Sequence, residues 1–372
     1  MHGGERIPVT LITGFLGSGK TTLLNRLLRD PEFRNSAVLV NEFGAVGIDH
    51  QLIASAKDRV LLLDSGCLCC VLADSLRETL ADLYHRRSQG TVPLFDRVLI
   101  ETSGLANPGP ILQSLLKDAL ISPLFSLGAV VCVVDAQHAL LQFQESVEAR
   151  EQVAFADKLL VSKLDLGAGE LSNLLRAGLA ALNPHAPIFP VPAATQPLAP
   201  LLRRPPASEF AAQRTMHAAD DHENDVDGNV DQALSDHVNH SNDIVSFSVR
   251  LEAPVSWPGI AAWSGHLTAR FGDDLLRCKA LLRLQGRPGR VVVQGVRRMF
   301  DIRHDATLLL EDDRSPIVII GRKLDREALQ RGLDWLQAPE GAQQFVSAGF
   351  APWSEVAPAL SPVLSATPRV AS

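Results

Sequence analysis

The sequence predicts an α/β fold, a doubly wound and mostly parallel sheet, followed by a small α+β C-terminal domain. Three observations carry this reading. Short runs rich in β-branched residues alternate with amphipathic helical stretches through the first half. Several of those runs are apolar at almost every position, as strands covered on both faces are. A long polar stretch then interrupts the pattern, and patterned segments resume beyond it.

In order, the strand candidates are PVTLIT (8–13), SAVLVN (36–41), RVLLLD (59–64), RVLIE (97–101), GAVVCVVD (128–135), KLLVSK (158–163) and IFPV (188–191). Helices such as Thr21–Arg29 and Ser75–Arg86 fall between them, giving a β-α-β-α order. Near Pro190 the texture changes to Pro and Ala, and residues 217–243 lose almost all apolar side chains. Such a stretch cannot bury enough surface to offset its ordering entropy, so it reads as a flexible linker. Beyond it DIVSFSVRLE alternates as a strand and WPGIAAWSGHLTARFG reads as a helix. LLRCKALLRL, RVVVQGVRRMFDIR and PIVIIGR read as three further strands, and DREALQRGLDWLQ as a closing helix. The limits that follow are a first domain at 1–200, a linker at 201–242, a second domain at 243–338 and a loosely ordered tail at 339–372.

A chain of 372 residues has room for two cores, and 46% hydrophobic with 21% charged residues is ordinary globular composition. The net charge of −7 argues against a protein built mainly to hold nucleic acid. The basic region Arg283–Arg303 lacks interleaved aromatics and reads as a solvated or partner-facing surface. No segment approaches the roughly 20 apolar residues of a membrane span, and the N-terminal apolar run is too short for a signal peptide. A cytoplasmic location is therefore expected, where glutathione keeps thiols reduced.

GFLGSGKTT, Gly14 to Thr22, fits G-x-x-x-x-G-K-[ST] between a predicted strand and a predicted helix. This is the loop of a P-loop NTPase. Gly14, Gly17 and Gly19 let backbone N–H groups turn inward around a β-phosphate at the positive end of a helix. Phe15, Leu16 and Ser18 complete the loop, and Thr22 follows it. Lys20 would neutralise the β- and γ-phosphates, and the Thr21 hydroxyl would ligate Mg²⁺. Glu101, where the strand FDRVLIE stops before Ser103-Gly104, is the candidate acid for holding Mg²⁺ through water or for orienting the attacking water. Lys20 and Glu101 are thus the catalytic candidates. SKLD, Ser162 to Asp165, addresses the base: Asp165 could accept both guanine N1–H and N2–H while the Lys163 stem covers the ring. That favours GTP over ATP.

Three of the five cysteines, Cys67, Cys69 and Cys70, fall within four residues on a loop between a strand and a helix. Thiolates suit Zn²⁺, Cu(I) or Co²⁺. Three of them leave a tetrahedron open, and Glu42 is the first candidate for the missing ligand. A redox pair and simple packing are the alternatives; packing suits the lone Cys132 and Cys278. His217, His222, His237 and His240, among many Asp residues in the linker, form a candidate weak accessory metal region or an incidental part of an acidic tether.

With GFLGSGKTT, NEFGAVGID, GCLCC, ETSGLANP and SKLD in this order, the chain resembles the CobW-type branch of the G3E GTPases, P-loop GTPases that serve metalloenzyme maturation. The segments DIVSFSVR and LLRCKALLRLQG resemble that family's C-terminal domain. The resemblance implies a GTPase that binds a transition metal at Cys67, Cys69 and Cys70 with Glu42, Zn²⁺ favoured and Co²⁺ next, and delivers it to a client metalloprotein or cofactor pathway. The nucleotide residues carry over to Gly17–Thr22, Lys163 and Asp165. Two departures stand out: Ala45 where many members have Glu, and Ser162 for the commoner Asn, which removes an amide that braces the base loop. The client is expected to dock on the C-terminal domain, and a homodimer is compatible. If GTP orders NEFGAVGID, the metal grip and nucleotide state are coupled, with slow intrinsic turnover. The rival readings are a metal-sequestering or sensing protein with structural nucleotide, and a P-loop small-molecule kinase.

Overall fold

The computed structural model describes residues 6–40, 61–64, 72–167, 169–192, 198–202, 244–310 and 312–337. Glu42, Cys67, Cys69 and Cys70 lie outside the described residues, as do Ala45, His217, His222, His237 and His240, the linker from residue 203 to its end and the tail segment. The chain divides into two compact units between Ser246 and Phe247.

The first unit holds β1 (Ile7–Thr13), β2 (Ser36–Val40), β3 (Leu61–Asp64), β4 (Arg97–Glu101), β5 (Phe125–Asp135), β6 (Lys158–Ser162) and β7 (Ile188–Pro190), in spatial order β3-β2-β4-β1-β5-β6-β7. Every neighbouring pair is parallel. Helices α1 (Lys20–Leu27), α2 (Leu72–Ser88), α3 (Gly109–Lys117), α4 (Ala139–Glu145), α5 (Val147–Phe155), α6 (Asn173–Leu182) and α7 (Ala199–Leu202) connect or follow them. The residues dictate the local starts: the Ser146 and Ser172 hydroxyls accept from the N–H groups of Ala149 and Leu175 and so cap α5 and α6.

Leu23, Leu24 and Leu27 of α1, with Leu198 and Leu202, pack on Ile12, Val38, Leu99, Val131, Val133 and Leu160. The alternate residues of β5, Val130, Cys132 and Val134, are buried too, so both faces of the sheet are covered. Each such buried aliphatic contributes about 1.5–3 kcal/mol. Among the described residues, no helix is long and apolar enough to cross a membrane.

The second unit is an antiparallel sheet of order β11-β10-β9-β12-β8, made of β8 (Ile244–Leu251), β9 (Leu275–Leu282), β10 (Arg290–Val296), β11 (Met299–Asp305) and β12 (Ser315–Arg322). Helices α8 (Trp257–Arg270) and α9 (Arg326–Gly332) complete it. Trp263 of α8 and Trp335 share one core with Phe247, Leu282, Val293 and Ile319. Two expectations change here. RVVVQGVRRMFDIR is a hairpin, not one strand: Val296 pairs with Met299 across a two-residue turn in which Arg297 has φ 51°. No Gly, Asn or Asp announces that turn, so pattern alone reads through it. The closing helix starts where the Asp325 carboxylate accepts from the N–H groups of Glu327 and Ala328, but gives way after Gly332 to a 3₁₀ turn, Leu333–Gln337.

Candidate functional site

The described candidates gather at one edge of the first sheet, the C-terminal ends of β1, β4, β5 and β6. The strand order explains why. The chain leaves β1 for β2 on one side, whereas β4 connects to β5 across β1, so a crevice opens at the end of β1.

Residues 14–19 form the turn from β1 into α1. Gly14 has φ 142°, and a Cβ there would sit 2.2 Å from the Val133 carbonyl oxygen, so only glycine fits. Gly19, left-handed at φ 96°, is the cap from which α1 begins. Phe15 is half-buried, Ser18 buried, and Leu16 and Gly17 are exposed, with Thr22 beyond them on the helix. Lys20 is buried, and its ammonium donates to the carbonyls of Gly14 at 2.8 Å and Phe15 at 3.1 Å. The Thr21 hydroxyl donates to Glu101 Oε1 at 2.6 Å. Glu101 is only 4% exposed and ends β4, in register with Ile12 of β1 and Val40 of β2. An oxygen pair of this kind, hydroxyl plus carboxylate, fits a hard cation such as Mg²⁺.

The turn after β4 lies against the phosphate loop. Thr102 continues the pairing, its N–H donating to Ile12 O at 2.9 Å and its hydroxyl to Thr13 Oγ1 at 3.0 Å. Gly104 follows so closely on the loop that a Cβ would lie 2.7 Å from the backbone nitrogen of Leu16. From behind, the buried Gln152 amide donates to the carbonyls of Gly104 at 3.0 Å and Ala106 at 3.1 Å. Asn107 Nδ2 donates to Glu151 Oε2, and Asn107 Oδ1 accepts the Gly109 N–H at 2.8 Å. Sequence reasoning did not single out Glu151 or Gln152. They lie on α5, where every residue from Ala149 to Phe155 is buried, so no amphipathic stripe marks them.

At the end of β6, the Ser162 hydroxyl donates to Ser18 O at 2.6 Å, with Val134 O at 3.2 Å. The amide expected of an Asn is absent, yet a tie from β6 to the phosphate loop remains. Lys163 follows in the left-handed region at φ 58°, its ammonium 2.8 Å from Asp135 Oδ2. Asp165 sits exposed in the 3₁₀ turn Leu164–Leu166. Asp135, at the end of β5, was missed, although it carries the same strand-end signal that marked Glu101. Burial pushes its carboxyl up, but hydrogen bonds from Lys163, the Gln137 N–H and His138, with the Lys163 charge, outweigh that and hold it below its ordinary value.

Residues 8–190 match the CobW/HypB/UreG nucleotide-binding domain, and residues 244–336 match the cobalamin synthesis protein cobW C-terminal domain. The zinc chaperone YjiA of Escherichia coli strain K12 is 33% identical over 324 residues, 87% of this chain and 96% of its own. The chain belongs to the CobW/HypB/UreG family of P-loop GTPases. The zinc chaperone CobW of Pseudomonas aeruginosa is likewise 33% identical to this CobW-family GTPase, over 88% of this chain and 91% of its own. A crystal structure of the Zn(II)-bound YjiA GTPase from E. coli superposes with a TM-score of 0.65 at 30% identity, covering 90% of this chain and all of that one. Among the described residues of this CobW-family GTPase no three His, Cys, Asp or Glu side chains are grouped to hold a metal.

Replacing Glu101 with Gln keeps the shape at Thr21 but removes the charge. GTP hydrolysis is expected to fall about 100-fold, with the half-saturating Mg²⁺ concentration raised. Steady-state phosphate release across a Mg²⁺ titration measures both, and a Glu101→Gln variant with normal Mg²⁺ dependence would remove Glu101 from the metal's surroundings.

Proposed function

We propose that this GTPase is a metal chaperone. It holds a transition metal, Zn²⁺ before Co²⁺, at Cys67, Cys69 and Cys70 with Glu42, and GTP hydrolysis releases it to a client metalloprotein in the cytoplasm. One observation carries the reading. Val40, the last residue of β2, is in register with Asp64 at the end of β3 and with Glu101 at the end of β4. Neighbouring strands lie about 4.8 Å apart. Glu42 is two residues past Val40 and Cys67 three past Asp64. At about 3.5 Å per residue, both can reach a common point beside the strand that carries Glu101. A carboxylate and thiolates that follow adjacent strand ends in the chain suit zinc, and Glu101, at the end of the next strand, bonds Thr21 of the phosphate loop.

In the nucleotide site Lys20 balances phosphate charge, Asp165 reads guanine and Lys163 covers the base. Mg²⁺ would be held by Thr21 and Glu101, where it would supply neutralisation of phosphate charge. The segment after Val40 then responds to the γ-phosphate, so that metal affinity and nucleotide state are coupled. The C-terminal unit selects the client. The names of two curated relatives, zinc chaperones both, support cargo of this kind.

The test is Zn²⁺ affinity of the whole chain, measured against a chromophoric chelator with a non-hydrolysable GTP analogue and with GDP. A coupling of about 1–3 kcal/mol predicts about 5- to 150-fold tighter Zn²⁺ binding in the analogue form. Thiol alkylation at pH 8 gives a second reading. Cys132 and Cys278 are buried, and burial pushes their thiols up to about 12, so they stay protonated and unreactive. Labelling of the native chain is therefore confined to Cys67, Cys69 and Cys70, and Zn²⁺ suppresses it. Equal Zn²⁺ affinity in the two nucleotide states would defeat the coupling. Unchanged Zn²⁺ binding by Cys67→Ala would defeat the site.

A further inference from the structure

We infer that Asp135 is a positioning residue for base recognition, holding the loop Lys163–Asp165 in its reading conformation before nucleotide arrives. The inference rests on the reading of Asp165 as the guanine acceptor. Its starting point is Lys163, which leaves β6 with φ 58° and ψ 25°. That region disfavours a residue with a Cβ, and such a conformation persists only where its surroundings over-determine it.

The surroundings come from the turn after β5. Asp135 is paired with Ser162 in the β5–β6 register and is 2% exposed, at the end of an apolar strand. A carboxylate so placed must be hydrogen-bonded. Its Oδ2 lies 2.8 Å from Lys163 Nζ and 3.0 Å from His138 Nδ1. Its Oδ1 accepts the Gln137 N–H at 2.8 Å, which fixes the turn that brings the Gln137 side chain round. Gln137 Nε2 in turn donates to the Lys163 carbonyl at 3.1 Å. Lys163 is therefore gripped at its ammonium by Asp135 and at its carbonyl by Gln137, while the preceding Ser162 is tied to Ser18 O. Within this grip, Leu166 N–H closes on Lys163 O at 3.2 Å, setting the 3₁₀ turn from which Asp165 projects, exposed.

Lys20 donates to the carbonyls of Gly14 and Phe15 and Thr21 to Glu101, whereas Asp135 and Gln137 bond to Lys163, so the grip acts first on the turn that carries Asp165. A preorganised loop spares the base the cost of ordering it. Losing a charge-assisted bond at Lys163 should therefore show in nucleoside recognition alone.

The experiment is calorimetric binding of GDP, IDP and inorganic pyrophosphate to the full chain and to Asp135→Asn, Gln137→Ala and Asp165→Ala. IDP lacks the guanine 2-amino group. Asp135→Asn is expected to weaken GDP about 10- to 100-fold, to narrow the preference for GDP over IDP, and to leave pyrophosphate within about 2-fold. Gln137→Ala, at an exposed side chain, should weaken GDP about 3- to 10-fold with the same pattern. If Asp135→Asn loses pyrophosphate in proportion to GDP, the carboxylate is simply structural and Gln137→Ala decides: normal GDP binding there overturns the inference. Wild-type GDP affinity in Asp135→Asn overturns it directly. Asp165→Ala separates the two layers, because unchanged GDP binding in that variant rejects the guanine reading itself, whatever Asp135 does.

Discussion

Lys20→Ala is expected to weaken GTP binding at least about 100-fold and to bring hydrolysis to background. Two effects act in the same direction. The ammonium is the cation of the phosphate loop, and each charge-assisted bond to a phosphate oxygen contributes about 1.5–3 kcal/mol. The same ammonium also donates to the carbonyls of Gly14 and Phe15, at 2.8 and 3.1 Å, so its removal strips donors from the turn that shapes the loop. Lys20→Arg should not rescue, because the position is buried and a planar guanidinium has no room to replace a compact ammonium. Titration with a fluorescent GTP analogue and a phosphate-release assay measure the two consequences. Affinity within about threefold of wild type would mean that Lys20 does not meet the phosphates.

Gly104→Ala is expected to lower GTP turnover about 10- to 100-fold while leaving the chain folded. The backbone there is not left-handed, so the effect is purely one of contact. The new Cβ would lie 2.7 Å from Leu16 N and 2.8 Å from Leu16 Cα, which are backbone atoms of the phosphate loop and cannot swing aside as a side-chain tip can. Overpacking of this kind costs about 1–3 kcal/mol. The Gln152 amide holds Gly104 O from the other side, so the strain cannot be released by backing the turn away. The loop and the turn are therefore forced apart, and misplacement of about 1 Å can cost about 100-fold in rate. Single-turnover hydrolysis with a thermal melt separates this from unfolding. Normal turnover in a folded Gly104→Ala protein would show that the two segments are not in register for the reaction.

Much of the fold was legible because its signals are local. RVLIE coincides with β4, and PVTLIT, GAVVCVVD and KLLVSK each fall within one to three residues of β1, β5 and β6. Runs buried on both faces need to be apolar throughout, and that demand is written directly in the residues. The hairpin at Arg297–Arg298 was illegible because an arginine holds a positive φ that sequence rules reserve for Gly or Asn. The last helix ends at Gly332 and the chain continues as a 3₁₀ turn that carries the buried Trp335, a change of winding that the run of helix-forming residues does not announce. In the site, the phosphate loop was legible as a contiguous motif, and Glu101 as a strand-end acid. Gln152 was not, because a buried amide in an all-round buried helix resembles any core-facing polar residue until its partners are known.

By itself the sequence determined a phosphate-loop motif and its place between a strand and a helix, since the glycines, Lys20 and Thr21 are adjacent in the chain and begin the helix themselves. It also determined that three thiols are clustered within four residues, a donor set suited to a soft metal. Only the tertiary structure decided which distant groups meet around that loop and around the turn after β6. Thr21 meets Glu101 across 80 residues of chain, Ser18 meets Ser162 across 144, and Asp135 meets Lys163 across 28. Those meetings are set by strand order and register, and these depend on how the whole sheet packs against its helices rather than on any short stretch of residues.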